Sequence, residues 1–304
     1  MTAPKSPALR GVLHRDEPMA RHTTWRVGGP AQYYYQPADI ADLAQFLGQL
    51  PVNEPLFWLG LGSNLLVRDG GIRGTVIATA GMLSGIEQVG ECEVRVEAGV
   101  SCAKVARFCA RAGLVGAEFL AGIPGTMGGA LAMNAGAFGG ETWPLVAAVE
   151  TLDRHGERHE RTPAEYRVGY RSVTGPADEW FVAVHLRLAH GDAEAATKQI
   201  RALLDRRGAT QPIGQANAGS VFRNPPRDHA ARLIEACGLK GRCIGGACVS
   251  EKHANFIVNG GDATAAEIEA LIAEVAATVE QQLGIALKRE VRIVGETGQE
   301  QTNG

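Results

Sequence analysis

Residues 122–140 read G-I-P-G-T-M-G-G-A-L-A-M-N-A-G-A-F-G-G, with seven glycines and four alanines in nineteen positions. Glycine is favoured where the backbone takes positive φ or where another group must approach the main chain closely. Each glycine inside a helix or strand costs about 0.5–1 kcal/mol relative to alanine, so this run is expected to form neither in ordinary shape. A phosphate-bearing ligand lying against bare backbone N–H groups would offset that cost. A long surface loop is the plain alternative. Ile123, Met127, Leu131, Met133 and Phe138 speak against it, because surface loops are usually polar.

The rest of the chain must be read as a frame for that stretch. Its 304 residues suffice for two domains or one large one. With 45 % hydrophobic and 21 % charged residues the composition is that of a globular enzyme-like protein. Thirty basic against 33 acidic residues give a net charge of −3, so bulk charge recruits neither nucleic acid nor a membrane surface. No apolar run approaches the roughly 18 residues of a membrane span. Met1–Met19 lacks the apolar core of a signal peptide, and a cytoplasmic location is expected. Six cysteines, at 92, 102, 109, 237, 243 and 248, show no C-x-x-C spacing. They are expected to be reduced packing thiols.

Residues 1–20 are rich in proline and charge and are expected to be flexible. Gln32–Gln36 reads as a short strand, and Pro37–Leu50 as a helix capped by Asp39 with Ile40, Leu43 and Leu47 on one face. Leu56–Leu59 is an apolar strand that ends in Gly60-Leu-Gly-Ser-Asn64. A dinucleotide-binding βαβ unit would need a helix directly after that G-x-G. Leu65–Gly71 and a strand over Thr75–Thr79 follow instead, which argues against a doubly wound fold while leaving phosphate binding open.

Further strands are expected over Cys92–Ala98, Val146–Asp153 and Trp180–Leu188, with a helix after Ser101 that stops at Gly113. Glu194–Arg207 is a helix, and Asp228 caps another that runs through Ala236. Thr264-Ala-Ala-Glu267 is a capping box opening a helix with Ile268, Leu271, Ile272, Val275 and Val279 inward and Gly284 at its end. Ile285–Val294 reads as a last strand and the tail as disordered. The class is α+β.

Three places offer chemistry. Gly219 before Ser220 lets a hydroxyl protrude at a bend, with Arg223 and Asn224 nearby, although the context is not that of a hydrolase nucleophile elbow. Period two puts Lys288, Glu290 and Arg292 on one face of a strand. Flanking cations lower the pKa of a carboxylate and burial raises it; a solvated face with weak ion pairs is the alternative. Tyr166, Arg167, Tyr170 and Arg171 could clamp an anion. The eight histidines show no metal-binding spacing.

Thr24-Trp-Arg-Val-Gly-Gly-Pro30, Leu59-Gly-Leu-Gly-Ser-Asn-Leu-Leu66, Ile123-Pro-Gly-Thr-Met-Gly-Gly129, Asn134-Ala-Gly-Ala137, Gly169-Tyr-Arg-Ser172, Gly219-Ser-Val-Phe-Arg-Asn-Pro225 and Glu290-Val-Arg292 occur in this order. In these seven motifs, spread over residues 20–296, the chain resembles UDP-N-acetylenolpyruvoylglucosamine reductase of the shorter, type II form. It passes from Asn224-Pro-Pro226 straight to a helix, and from Arg171 to Trp180, without the insertions of the longer type.

The resemblance implies a two-part FAD-binding module of the vanillyl-alcohol-oxidase (PCMH) type over 21–79 and 80–192, then an α+β substrate-binding domain over 193–296. It implies that NADPH reduces non-covalent FAD, which passes hydride to the enolpyruvyl ether of the UDP-sugar. Arg171 and Glu290 would stabilise the enolate, and Ser220 would protonate its alpha carbon. FAD contacts would come from Leu59, Gly60, Gly62, Ser63, Asn64 and Leu65, from Gly122, Ile123, Pro124, Gly125 and Thr126, and from Gly128, Gly129, Asn134, Ala135 and Gly136. Tyr170, Arg171, Arg223, Asn224 and Glu290 would meet the substrate. No metal, nucleic acid or membrane partner is expected, and a monomer is expected. A flavin oxidase of the same superfamily and a non-catalytic flavin or nucleotide-sugar binder remain as other readings.

Overall fold

The computed structural model describes residues 8–298, with helices α1 (Ile40–Leu47), α2 (Cys102–Arg111), α3 (Met127–Met133), α4 (Ala193–Thr210), α5 (Ala230–Ala236) and α6 (Ala265–Leu283). The expectations for residues 1–7 and 299–304 lie outside the described residues. Two compact units emerge. One contains the described residues up to His14, Tyr33–Gly60 and Thr75–Ala193; the other contains Arg15–Gln32, Leu61–Gly74 and the chain from Glu194 onward. Residues 12–18, expected to be flexible, form a strand, Val12–Pro18.

In the first unit, α1 starts where Asp39 accepts a hydrogen bond from the Asp42 N–H at 2.8 Å. Its apolar face buries Leu43, Phe46 and Leu47 with Ile77, Leu83, Leu152 and Val182. Tyr35 stacks on Phe46 with ring centroids 3.6 Å apart. Asp42 is buried in this core yet well paired: it accepts from the Tyr35 hydroxyl at 2.6 Å, the Ala38 N–H at 3.0 Å and the Arg10 N–H at 2.7 Å. Burial alone would push its carboxyl up, but these donors outweigh burial and hold it below the ordinary range. Leu56–Leu59 runs parallel to Ile72–Ala78, with Leu56 opposite Thr75 and Leu59 opposite Ala78.

A five-stranded antiparallel sheet completes this unit, in the order Arg158–Arg161, Val146–Asp153, Glu179–Arg187, Glu93–Glu97, Ile86–Gln88. Glu150, in the second of these strands, is 5 % exposed. It accepts from Arg95 Nε and Nη2 at 2.7 and 2.8 Å, contacts His185 Nε2 at 3.1 Å, and pairs with Arg158. Burial pulls its pKa up, but the Arg95 and His185 hydrogen bonds and the arginine charges win, leaving it at about 2. A carboxylate with a depressed folded pKa contributes stability above its unfolded pKa, near 4.3, and loses it as pH falls through the folded value. The thermal midpoint is therefore expected to fall between about pH 4.3 and 2, and Glu150→Gln to flatten that decline. Parallel curves for the two proteins would remove Glu150 as the titrating group.

The second unit is built on α6. Its capping box, Thr264 with Glu267, is present, and Gly284 ends it in the left-handed conformation at φ 68°. Ile268, Leu271, Ile272, Val275 and Val279 face the core as their spacing predicts. Segments from far upstream complete that core. Trp25 is fully buried there and donates from Nε1 to the Ile257 carbonyl at 2.8 Å, while Asn259 Nδ2 donates to the Trp25 carbonyl at 2.9 Å. Leu65–Val67 pairs in parallel with Arg292–Val294. Asp69 accepts from the Ala265 and Ala266 N–H groups at 3.1 and 2.9 Å, serving the open donors at the start of α6.

Further expectations need correction. The glycine-rich run does hold a helix: Thr126 caps α3, accepting from the Gly129 N–H at 3.4 Å, and Asn134 ends it with φ 44°. The last strand is shorter than Ile285–Val294, covering Arg292–Val294, with Phe222 opposite Arg289 as an isolated bridge. Not all cysteines are free thiols. Cys243 and Cys248 face each other across the antiparallel pair Cys243–Ile244 and Ala247–Val249, 4.1 Å apart at Cα, and form a disulfide. The hairpin geometry puts them together, which no C-x-x-C spacing announced. Cys92, Cys102, Cys109 and Cys237 are free.

Candidate functional site

Each unit holds its own set of candidate functional residues. In the second unit, Gly219 has φ 73° and turns the chain just ahead of Ser220. From there the segment runs antiparallel to residues 288–291. The Val221 carbonyl accepts the Glu290 N–H at 2.8 Å, and the Arg223 N–H donates to the Lys288 carbonyl at 2.9 Å. Asn64 joins the same cluster, donating from Nδ2 to the Glu290 carbonyl at 3.2 Å while its own carbonyl accepts the Arg292 N–H at 3.1 Å. Ser220 and Glu290, 70 positions apart in sequence, are thus held on paired neighbouring segments.

Asn255, which no motif reading singled out, fixes the segment that follows Ser220. It is 3 % exposed, accepts the Phe222 N–H at 3.0 Å through Oδ1, and donates from Nδ2 to the Phe222 carbonyl at 2.8 Å. Only its place between His253 and Phe256 in an otherwise apolar run could have hinted at a buried, fully paired amide. Among the expected substrate contacts, Asn224 is occupied at Oδ1 by the Ala230 N–H at 3.0 Å, at the start of α5. Arg223 keeps a buried Nε without a hydrogen-bond partner. A buried guanidinium N–H left in that state costs stability unless an acceptor arrives.

In the first unit, Arg171 sits at the tip of a two-stranded hairpin, Arg167–Gly169 with Ser172–Thr174, in the left-handed conformation at φ 53°. Its Nη2 donates to the Gly136 carbonyl at 3.2 Å, and its guanidinium lies 5.7 Å from the centroid of the exposed Tyr170 ring.

A cavity of about 370 Å³ also opens in this unit, lined among others by Trp58, Gly60, Gly128, Gly129, Tyr166 and Trp180. Trp58 and Trp180 stack with centroids 5.3 Å apart. Two of the lining residues carry a polar atom, Trp58 Nε1 and Tyr166 Oη, that is buried without a hydrogen-bond partner. Burial, then the charge of Glu179, push the Tyr166 phenol up to about 12, so it keeps its proton. A side chain at Gly60 would run into Thr126 Oγ1 at 2.5 Å, so bare backbone is required there.

Of the expected FAD contacts, Leu59, Gly60, Gly128 and Gly129 line this cavity. Gly62 belongs to the second unit and takes φ 61°; Ser63, Asn64 and Leu65 follow it there. Gly122 and Ile123 are buried, and Phe138 packs over Gly122. Pro124 is exposed, Gly125 is half-buried and Thr126 caps α3. Ala135 is buried and Gly136 pairs with Glu141. Trp58 and Trp180 escaped the sequence reading, since indoles in apolar strands look like core.

Two family models match the chain: an FAD binding domain over residues 31–161, and the UDP-N-acetylenolpyruvoylglucosamine reductase C-terminal domain over residues 211–294. The chain is 65 % identical over 287 residues to the UDP-N-acetylenolpyruvoylglucosamine reductase of Methylococcus capsulatus, covering 94 % of each chain. It is 62 % identical over 286 residues to that of Alkalilimnicola ehrlichii, covering 94 % of this chain and 96 % of the relative. The crystal structure of the Thermus caldophilus UDP-N-acetylenolpyruvylglucosamine reductase superposes with a TM-score of 0.80 at 33 % identity, covering 93 % of this chain and 98 % of that one. No helix among the described residues is long and apolar enough to cross a membrane. With an α+β architecture, an FAD-binding domain and the reductase C-terminal domain in sequence, this chain belongs to the UDP-N-acetylenolpyruvoylglucosamine reductase family of FAD oxidoreductases.

Proposed function

We propose that this chain is an NADPH-dependent cytoplasmic enzyme that reduces the enolpyruvyl ether of UDP-N-acetylglucosamine-enolpyruvate to UDP-N-acetylmuramate for peptidoglycan synthesis. The observation that carries this reading is the backbone pairing of the Ser220 segment with the Glu290 segment. When bound, FAD supplies the hydride chemistry, accepting from NADPH and giving to the vinyl carbon of the ether. The chain must then handle a carbanion alpha to a carboxylate, which is an enolate with two negative charges. Water stabilises such a species poorly, and prearranged donors do better. Arg171 and Glu290 are assigned to the substrate carboxylate. Glu290 serves as a donor when protonated, a form favoured by the nearby negative charge of the substrate. Ser220 gives its proton to the alpha carbon; a hydroxyl is a weak acid, and that transfer is credible only beside so basic a carbon. Arg223, with its buried Nε in need of an acceptor, is assigned to the diphosphate of the substrate.

FAD is assigned to the loop from Gly60 to Asn64 and to the glycine-rich run. The lining of the 370 Å³ cavity, with Trp58, Trp180 and Phe181 beside bare Gly60, Gly128 and Gly129, suits a flat purine, and the adenosine end is assigned to it. ADP is expected to compete with FAD for the apoprotein, and FMN to compete at least about tenfold less well, in a titration of tryptophan fluorescence. Equal competition would remove the assignment. FAD is expected in the supernatant after acid precipitation, because no covalent attachment is proposed.

The whole reading is tested by absorbance under anaerobic conditions. Bleaching of the flavin bands by NADPH should be followed by their recovery on adding the enolpyruvyl UDP-sugar. Recovery with oxygen but not with that substrate would favour a flavin oxidase.

A further inference from the structure

We infer that Asn134 is a positioning residue for Arg171, holding the tip of the arginine hairpin where the guanidinium can act; this rests on the role proposed above for Arg171. A two-stranded hairpin is marginal on its own. The one here pairs through three residues a side, and Gly169, Tyr170 and Ser172 at its tip are exposed. Pairing within so short a ribbon cannot set where residue 171 points. Bonds to firmer structure must do so.

Two such bonds reach the tip from a single segment. Asn134 Nδ2 donates to the Gly169 carbonyl at 3.3 Å, and Arg171 Nη2 donates to the Gly136 carbonyl at 3.2 Å. They link residues 134–136 to residues 169–171 in both directions. The segment that provides them is itself fixed. Asn134 is 3 % exposed, donates to Glu141 Oε2 at 2.8 Å and accepts the Trp143 N–H at 3.1 Å. Thr142 donates through its hydroxyl to the Ala135 carbonyl at 2.7 Å. Both polar ends of the Asn134 amide are thus engaged within the protein. The resemblance implied a contact to FAD at Asn134; its bond to the Gly169 carbonyl ties it to the arginine hairpin as well. Loss of one such tether lets a catalytic group stray, and a misplacement of about 1 Å costs on the order of 10²-fold.

The test follows both half-reactions of the FAD-loaded protein by stopped flow, together with FAD affinity, in Asn134→Gly, Arg171→Ala and the double variant. Glycine tolerates the positive φ at position 134, so backbone strain does not confuse the result. Asn134→Gly is expected to slow reoxidation by the enolpyruvyl substrate by about 10–10²-fold, well beyond any change it makes in reduction by NADPH or in FAD affinity. In the Arg171→Ala background it is expected to add no further loss, because a residue acting only through Arg171 has nothing left to position. Full additivity would overturn the inference. So would equal slowing of both half-reactions, or loss of FAD. If Arg171→Ala slows reoxidation and Asn134→Gly does not, the inference alone falls. If Arg171→Ala leaves reoxidation unchanged, the reading of Arg171 falls with it. Should Asn134→Gly fail to fold, Asn134→Ser, which also lacks the amide donor, is read against the same outcomes; failure of both to fold would assign Asn134 to stability and overturn the inference.

Discussion

Ser220→Ala is expected to leave reduction of FAD by NADPH at the wild-type rate and to slow reoxidation by the enolpyruvyl substrate by about 10²–10⁴-fold. The split follows from where the proton is needed. In the proposed reaction NADPH needs no proton from the chain to give hydride to the cofactor, whereas the substrate would need one at its alpha carbon after hydride arrives. Ser220 is half-buried and follows a glycine turn, so removing its oxygen leaves no cavity in the core and leaves the Val221–Glu290 pairing intact. Fold and function are therefore separable at this position. The two stopped-flow traces decide it, and equal loss in both would refute the assignment. Glu290→Gln is an informative companion. If the carboxyl acts as a protonated donor, an amide keeps a donor at that point, and its loss should be smaller than that of Glu290→Ala.

The second large effect concerns stability. Trp25→Ala is expected to cost about 3–5 kcal/mol, the range for emptying a fully buried aromatic site. Trp25→Phe should cost less. It retains most of the apolar volume but orphans the Ile257 carbonyl, a penalty of about 1–3 kcal/mol. Denaturant melts of the second unit's unfolding measure both. Losses below 1 kcal/mol in both would contradict the burial of Trp25 among Leu66, Ile257 and Leu271.

These two positions mark what the chain makes legible and what it hides. Helices with strong local signals were readable: Asp39 caps α1, and the Thr264 capping box and Gly284 bracket α6. The pairing of residues 220–223 with 288–291 was not readable from spacing, because an isolated backbone bridge leaves no periodic trace. Trp25 was legible only as part of the Thr24–Pro30 motif, with no role attached. Its actual neighbours, Ile257 and Asn259, lie more than two hundred positions away and share no local pattern with it. The glycine-rich run misled in the opposite direction. Its composition argued against a helix, yet a capping threonine and a left-handed asparagine suffice to close two turns between them. The disulfide arose from cross-strand register alone.

The second unit takes Trp25 and Leu66 from near the chain start and Val291 from near its end. During synthesis the first of these must wait, unplaced, until Ile257, 232 positions further on, has left the ribosome. Closing such a distant contact is slow, and an exposed indole in the interim is an invitation to chaperones. A fragment covering only residues 194–304 would emerge lacking its keystone and should aggregate, whereas supplying the missing tryptophan-bearing segment in trans should rescue its solubility.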